Sequence, residues 1–281
     1  MLTMKKKQRL SMASKYTLTV LILMISLFPI YWIFNSSLMK NQYIMNLPPH
    51  FIPVEPSLSS YAKILQNEKY LTYFKNSFIV ASGTVIVTLV VATMAGFVFS
   101  RFRFRFHNTL LTMIMSVQMF PIVAILISLY TFYYKWNMLS TYRGLILADT
   151  TFCLPLAIFL MKGFFDSLPK SLDESAKIDG ANRIQVLTKI LLPLTKPGLV
   201  AVGIYTFLYA WDDFVMALVI MQKESMKTLP VGIVASFLGE YAYDYSSMMA
   251  FAFAGSVPIV LLFVFFQKQM VAGLTAGAVK G

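Results

Sequence analysis

Asp212 and Asp213 stand side by side in "YTFLYAWDDFVMALVI" (205–220), a run with no other charge. Carboxylates in so apolar a stretch are costly and face a cavity or a partner. Tyr205, Tyr209 and Asp212 fall at i, i+4 and i+7, one helical face, with Trp211 and Asp213 flanking it. Aromatic rings stack on C–H faces and carboxylates accept hydroxyl protons, so this set suits a polyhydroxylated ligand. The same face serves equally well for packing against another membrane subunit. Gln118 and Asp149 are lesser candidates, for which a structural hydrogen bond is the competing role. An acid–base pair is a poor reading of Asp212 and Asp213, because neighbours on a helix point about 100° apart.

The elements that must carry these residues are membrane helices. The 281 residues are 58% hydrophobic and 13% charged, half the charge of a typical soluble domain. A bilayer core needs about 20 apolar residues in helical form, and such runs lie near 16–38, 77–100, 109–132, 145–165, 198–221 and 247–267. The first follows Lys5, Lys6, Lys7, Arg9 and Lys15, but it is too long for a cleaved leader and reads as a signal anchor. Pro29, Pro121, Pro155 and Pro258 do not demote the runs, since neighbouring helices can satisfy the groups proline frees. The expected fold is therefore all-α, with a tail at 1–15, six spans within 16–267 and a second tail at 268–281. No internal repeat or discontinuous span of the secondary-transporter kind is evident.

With the N-terminus inside, 16 of the 24 Lys and Arg face inward, as do four of the 12 acidic residues. The net charge of +12 is thus a matter of topology, following the positive-inside rule, and not a sign of a nucleic-acid partner. Both termini are expected in the cytoplasm and the 39–76 loop outside. In that loop "NLPPHFIPVEP" is too proline-rich for regular helix. One cysteine, Cys153, excludes an internal disulfide, and two histidines offer no metal cluster.

The inner loop at 166–197 holds "DESAKIDGANRIQVLTKILLP" (173–193). Ser171 and Glu174 have capping-box spacing, which predicts a helix start. Gly180 predicts a sharp turn, whose positive φ or tight packing would resist both a β-carbon and added volume. Beyond it Ile184, Leu187, Leu191 and Leu194 predict one apolar face of a second helix, with Arg183, Gln185 and Lys189 on the others. Two short helices meeting at a glycine form either a knob for a partner's groove or a helix lying on lipid headgroups.

The segment resembles the EAA motif of bacterial ABC-importer permeases: Glu174, Ala176, Gly180, Ile190, Leu192 and Pro193 match at that spacing, with Ser175 in place of the middle alanine. "YAWDDFVMALVI", "KTLPVGI" and "YSSMMAFAFAGSVPIVLLFVFFQKQMVAGLTAGAVKG" are similar to the fifth span, sixth span and tail of the MalG-type carbohydrate permeases. There Trp-Asn-Glu/Asp-Phe is more usual than the Trp-Asp-Asp-Phe found here. The resemblance implies the six-span type I (MetI-like) permease fold in a bacterial cytoplasmic membrane. It implies a second, homologous permease, two cytoplasmic ATP-binding subunits, an extracytoplasmic solute-binding protein and a carbohydrate substrate. The 173–193 segment would be the coupling helix docked in an ATPase. The end of the chain, Ala276, Gly277, Ala278, Val279, Lys280 and Gly281, would reach the ATPase interface. This chain has no G-x-x-x-x-G-K-[ST], so ATP and magnesium would be bound by the partner subunits, leaving no cofactor and no catalysis here. A permease for a non-sugar solute and a stand-alone secondary transporter are the alternatives.

Overall fold

The computed structural model describes residues 4–237 and 244–278, with side chains described for 14–237 and 244–267. Every regular element among the described residues is a helix. Short one-turn pieces aside, these are α1 (Met4–Ser37), α2 (Ser59–Gln66), α3 (Glu68–Arg101), α4 (His107–Ser116), α5 (Ile122–Lys135) and α6 (Tyr142–Asp166). There follow α7 (Ser171–Ile178), α8 (Arg183–Leu194), α9 (Lys196–Asp212), α10 (Val215–Ile220), α11 (Leu229–Phe237) and α12 (Tyr245–Ala278). Four helices are long and apolar enough to cross a membrane alone: Ser14–Ser37 of α1, α3, α6, and Tyr245–Gln267 of α12. Two bent pairs, α4 with α5 and α8 with α9, bring the number to six if each pair is one span.

The prolines behave differently from one another. Pro29, Pro155 and Pro258 lie inside continuous helices, as expected. Pro121 instead breaks the third span, and the helices on its two sides meet at 96°. The cause is local. A proline disfavours the helical region for the residue before it, and Phe120 is extended at φ −77° and ψ 127°. The fifth span is broken as well: Asp213 is extended between α9 and α10. The expectation of unbroken spans is therefore corrected at both places.

The chain divides into two compact units, residues 1–68 with 233–257, and residues 69–232 with 258–281. In the first, the end of α1 is polar and buried at Asn35, Ser36 and Ser37. Ser246 Oγ donates to the Met39 carbonyl at 2.7 Å and meets Ser60 Oγ at 2.7 Å. Phe34 packs on Phe253 and Phe237 on Phe251. Residues 46–56 are non-helical, as their prolines predict.

In the second unit, one apolar cluster joins Ala92, Phe97 and Phe99 of α3 to Ala157, Ile158, Met161 and Phe165 of α6, and to Ala176, Val186 and Leu191 of the inner loop. Gly96 lets α3 and α6 approach closely, since a β-carbon there would stand 2.8 Å from Met161 Cβ. A second cluster gathers Val80, Leu145, Met216, Ile220 and Val231. Beside it the 221–232 segment is tied to the start of α3. Glu224 pairs with Lys69 at 2.8 Å, with Lys227 and with the Tyr73 hydroxyl. Asn76 donates to the carbonyls of Ser225 and Lys227 at 3.0 and 2.8 Å. Hydrogen bonds from Lys227, Lys69 and Tyr73 hold the Glu224 carboxyl down at about 2.

Helix α1 begins at Met4 and α12 runs on to Ala278, so both helices continue beyond their apolar stretches, Ser14–Ser37 and Tyr245–Gln267. Val279, Lys280 and Gly281 lie outside the described residues, and Ala276, Gly277 and Ala278 are described only as helix backbone.

Candidate functional site

The inner loop folds into two helices that meet at Gly180. Helix α7 ends in a Schellman motif: Ala181 N–H donates to the Ala176 carbonyl at 2.9 Å and Gly180 N–H to the Lys177 carbonyl at 3.1 Å. Gly180 takes φ +80°, the left-handed conformation that glycine enters without cost. A β-carbon there would meet nothing within 4 Å, so the expected close approach at that carbon is absent and the backbone angle is what demands glycine.

The capping box forms, but one helix later than the sequence pattern placed it. Helix α7 begins after Lys170, whose side chain makes no capping bond, so Ser171 lies inside its first turn and Glu174 is exposed. Asn182 and Gln185 make the reciprocal box instead, Gln185 N–H to Asn182 Oδ1 at 2.9 Å and Asn182 N–H to Gln185 Oε1 at 2.8 Å. Helix α8 then widens into a π-helical stretch, Val186–Leu191. That extra width shifts the 3.6-residue period, so the expected apolar face is buried at Leu191, with Leu187 packed on the same cluster, but not at its two ends. Val186 and Leu191 are buried, while Ile184 and Leu194 stand in the open.

What fixes this knob to the membrane helices comes from "RFRFRFH" (101–107), read from sequence only as charge. Arg101 Nε lies 2.6 Å from Asp173 Oδ2, with side chains 6% and 12% exposed. The same guanidinium donates to the Leu168 carbonyl at 3.2 Å. The Arg183 guanidinium lies over the Phe102 ring at 4.7 Å. Ser100 donates to Asp166 at 2.7 Å, and Lys162 pairs with the other Asp166 oxygen at 2.6 Å. Arg101, Phe102 and Asp173 were thus missed; the alternation of Arg with Phe was the available signal. Of the motif residues, Ala176 is buried in the core cluster, Ile190 and Leu192 are half-buried, and Glu174, Ser175 and Pro193 are exposed. Ile178 and Ile184 project on either side of the glycine turn, 87% and 74% exposed.

A second site lies at the broken spans. A cleft of about 520 Å³ is lined by Ile122, Tyr205, Leu208, Tyr209, Asp212, Asp213, Phe214 and Val215. Ile122 opens α5 just past the Pro121 break, and Asp212 to Val215 make the break between α9 and α10. Irregular backbone at membrane depth is tolerated where it lines such a cavity. The structure brings Tyr205, Tyr209, Asp212 and Asp213 together as the helical spacing predicts. Asp213 also works as a cap, accepting from Met216 N–H at 3.2 Å and Ala217 N–H at 2.8 Å. Trp211 is not in the cleft; it is buried and stacked on Phe207 at 5.4 Å. Gln118 is exposed ahead of the Pro121 break, and Asp149 is buried in α6 with neither carboxylate oxygen hydrogen-bonded. Neither lines the cleft.

A family model for the inner-membrane component of binding-protein-dependent transport systems matches residues 88–275. The chain is 34% identical over 261 residues to the sulfoquinovosyl glycerol transport system permease SmoH of Agrobacterium fabrum, covering 93% of this chain and 91% of that one. It is 33% identical over 265 residues to the trehalose/maltose transport system permease MalG of Thermococcus litoralis, covering 93% and 94%. In fold it is similar to a chain of a bacterial ABC transporter involved in import of the acidic polysaccharide alginate, with a TM-score of 0.81 over 94% and 97% of the two chains at 20% identity. The chain belongs to the family of inner-membrane components of binding-protein-dependent transport systems, multi-pass subunits of ABC transporters that carry no catalysis of their own.

Proposed function

We propose that this subunit imports a carbohydrate, and that its inner knob is where ATP hydrolysis by partner subunits acts on the membrane helices. The observation that carries the reading is the knob itself. Ile178 and Ile184 are offered on two capped helices that a buried Arg101–Asp173 pair holds against α3. A rigid mount of this kind can pass a rigid-body displacement inward, and apolar side chains at its tip suit a groove on an ATPase surface. Two ATP-binding subunits would seat two knobs, this one and that of a homologous permease. ATP then shifts the inward- and outward-facing states by its differential affinity for them. Glu174 and Ser175, exposed and free of any capping role, add polar contacts to the partner.

Both termini lie in the cytoplasm in this reading, and the solute-binding protein docks on the outer face. The cleft between the broken spans is this chain's share of the translocation path. Tyr205 and Tyr209 supply ring faces and Asp212 an exposed acceptor, a lining suited to sugar hydroxyls and C–H faces. The named substrates of SmoH and MalG, a sulfoquinovosyl glycerol and trehalose/maltose, support the same class.

The test is co-purification of the ATPase with Ile178→Asp/Ile184→Asp, alongside uptake in reconstituted vesicles. The expected result is normal membrane insertion with loss of ATPase binding or of coupled uptake. Wild-type binding and uptake would leave the knob as a surface helix and remove the coupling assignment. Calorimetry of the cognate binding protein against a carbohydrate panel tests the substrate class independently.

A further inference from the structure

The segment between α1 and α2 is folded back along α1, although it lies outside the expected spans. Its ends are closed by the Ser57 N–H bond to the Leu38 carbonyl at 2.8 Å and by the Lys40–Glu55 ion pair. Its middle is held lower on the same helix. Asn35 Nδ2 donates to the His50 carbonyl at 3.0 Å, the Tyr31 hydroxyl donates to the Phe51 carbonyl, and Trp32 meets the Phe51 ring edge-on at 5.7 Å. The result is a hook with charge at its mouth and apolar side chains at its bend.

Residues 45–52, "MNLPPHFI", contain no Lys, Arg, Asp or Glu. Within them Leu47 is 91% and Ile52 76% exposed, with Met45 and Phe51 exposed as well. The depth of the hook follows from its tethers. The polar residues Asn35, Ser36 and Ser37 end the apolar run of α1, and Tyr31 and Trp32 lie roughly 5–6 Å further down the helix axis. Tyr and Trp at that position form the belt that sits at headgroup level. The most apolar stretch of α1 is itself wholly unburied, so the hook continues an apolar helix surface long enough to cross a bilayer.

We propose that residues 45–52 form a membrane-interface anchor, with Leu47 and Ile52 inserted at the headgroup–acyl boundary beside α1. The two tethers take up the His50 and Phe51 carbonyls, acceptors that would otherwise be stranded away from water. Proline at positions 48 and 49 removes two backbone donors from the same bend, which lowers its desolvation cost further. The Lys40–Glu55 pair stays on the water side and sets the limit of insertion. The anchor requires only that α1 cross the bilayer. Its assignment to the outer leaflet rests on the orientation given under Proposed function.

The experiment measures depth directly. The full chain with Cys153→Ala, in its assembled transporter, is reconstituted into phosphatidylcholine–phosphatidylglycerol vesicles with a nitroxide on Leu47→Cys, Ile52→Cys or Ser59→Cys. Collisions with oxygen should exceed those with a water-soluble nickel chelate at 47 and 52, and the order should reverse at 59. In the Tyr31→Phe/Asn35→Ala background, nickel collisions at 47 should rise severalfold as the hook lifts. Nickel dominating at 47 and 52 would place the bend in water and overturn the proposal. So would exclusion of both reagents, which would mean that a protein partner covers it. A wrong orientation is recognised separately: both sites then remain deep, while nickel reaches position 59 from the opposite side of the membrane.

Discussion

At Gly180 the demand is for an angle and not for space, which separates two effects usually confounded in glycine substitutions. Gly180→Ala should cost roughly 1 kcal/mol of local stability, and Gly180→Asn less, because asparagine visits the left-handed region more readily. Gly180→Leu should destabilise the isolated subunit about as much as alanine does, since its β-carbon enters open space and the backbone angle is the shared cost. Thermal unfolding of the three variants in detergent checks the ranking. A leucine defect that exceeds the alanine defect only when the ATPase is present would locate a partner surface at the turn. Arg101 is the larger lever. Removing one member of a buried ion pair strands the other, a loss of about 3–5 kcal/mol. Arg101→Ala should therefore free the 167–197 segment to limited proteolysis while the membrane helices stay protected. An unchanged cleavage pattern would show that the core cluster around Ala176 and Leu191 holds the knob unaided. Neither residue's role was equally legible in the sequence. Gly180 announces a turn by its type, whereas the Arg101–Asp173 contact joins positions 72 apart and leaves no local trace.

Among the elements, those readable from sequence are the ones whose cause is local. Long apolar runs became α1, α3, α6 and α12, and the proline-rich 46–56 segment stayed irregular. The breaks at Pro121 and Asp213 were not foreseen, because proline is compatible with both a continuous and a broken span, and the surroundings decide. Likewise the π-helical stretch in α8 moves Ile184 and Leu194 out of a face that their spacing alone predicts. The 221–232 segment makes a testable case of an element held by side chains from elsewhere. Its Glu224 carboxyl sits at about 2, below the ordinary 4.5. A depressed folded value stabilises above the unfolded value and is lost as pH falls through the folded one. Acidification from pH 7 to 5 should thus leave the tether intact, with loosening confined to the interval from about 4.5 down to about 2. Hydrogen exchange of residues 221–232 should differ between wild type and Glu224→Gln by a constant margin from pH 7 to 5. No margin at any pH in that range would mean that Glu224 titrates near its ordinary value and that Asn76, together with Ser77, whose hydroxyl accepts from Leu229 N–H at 2.8 Å, carries the attachment.

For the whole molecule, orientation is the property on which the knob, the hook and the cleft all depend, and charge is the physical argument for it. With six crossings, sixteen of 24 Lys and Arg would fall on the side of the knob, and the translocation of short loops follows Lys and Arg rather than net charge. The bends between α4 and α5 and between α8 and α9 do not alter this count if each bent pair crosses once. They would alter it if either pair were re-entrant, returning to the side it left. The measurement must therefore compare the 39–76 loop with the knob at positions where a cysteine is reachable. Ser60 is unsuitable, being buried against Ser246. Ala62 and Ser175 are exposed, and neither substitution removes a packed side chain. With Cys153→Ala as background, Ala62→Cys in intact cells should react with an impermeant maleimide, and Ser175→Cys only after the membrane is opened. Between these positions lie α3, the α4–α5 pair and α6, three crossings, so opposite labelling requires that the bent pair span the bilayer. Labelling from one side would make that pair re-entrant, place the knob opposite its expected ATPase partners, and withdraw the coupling role with it.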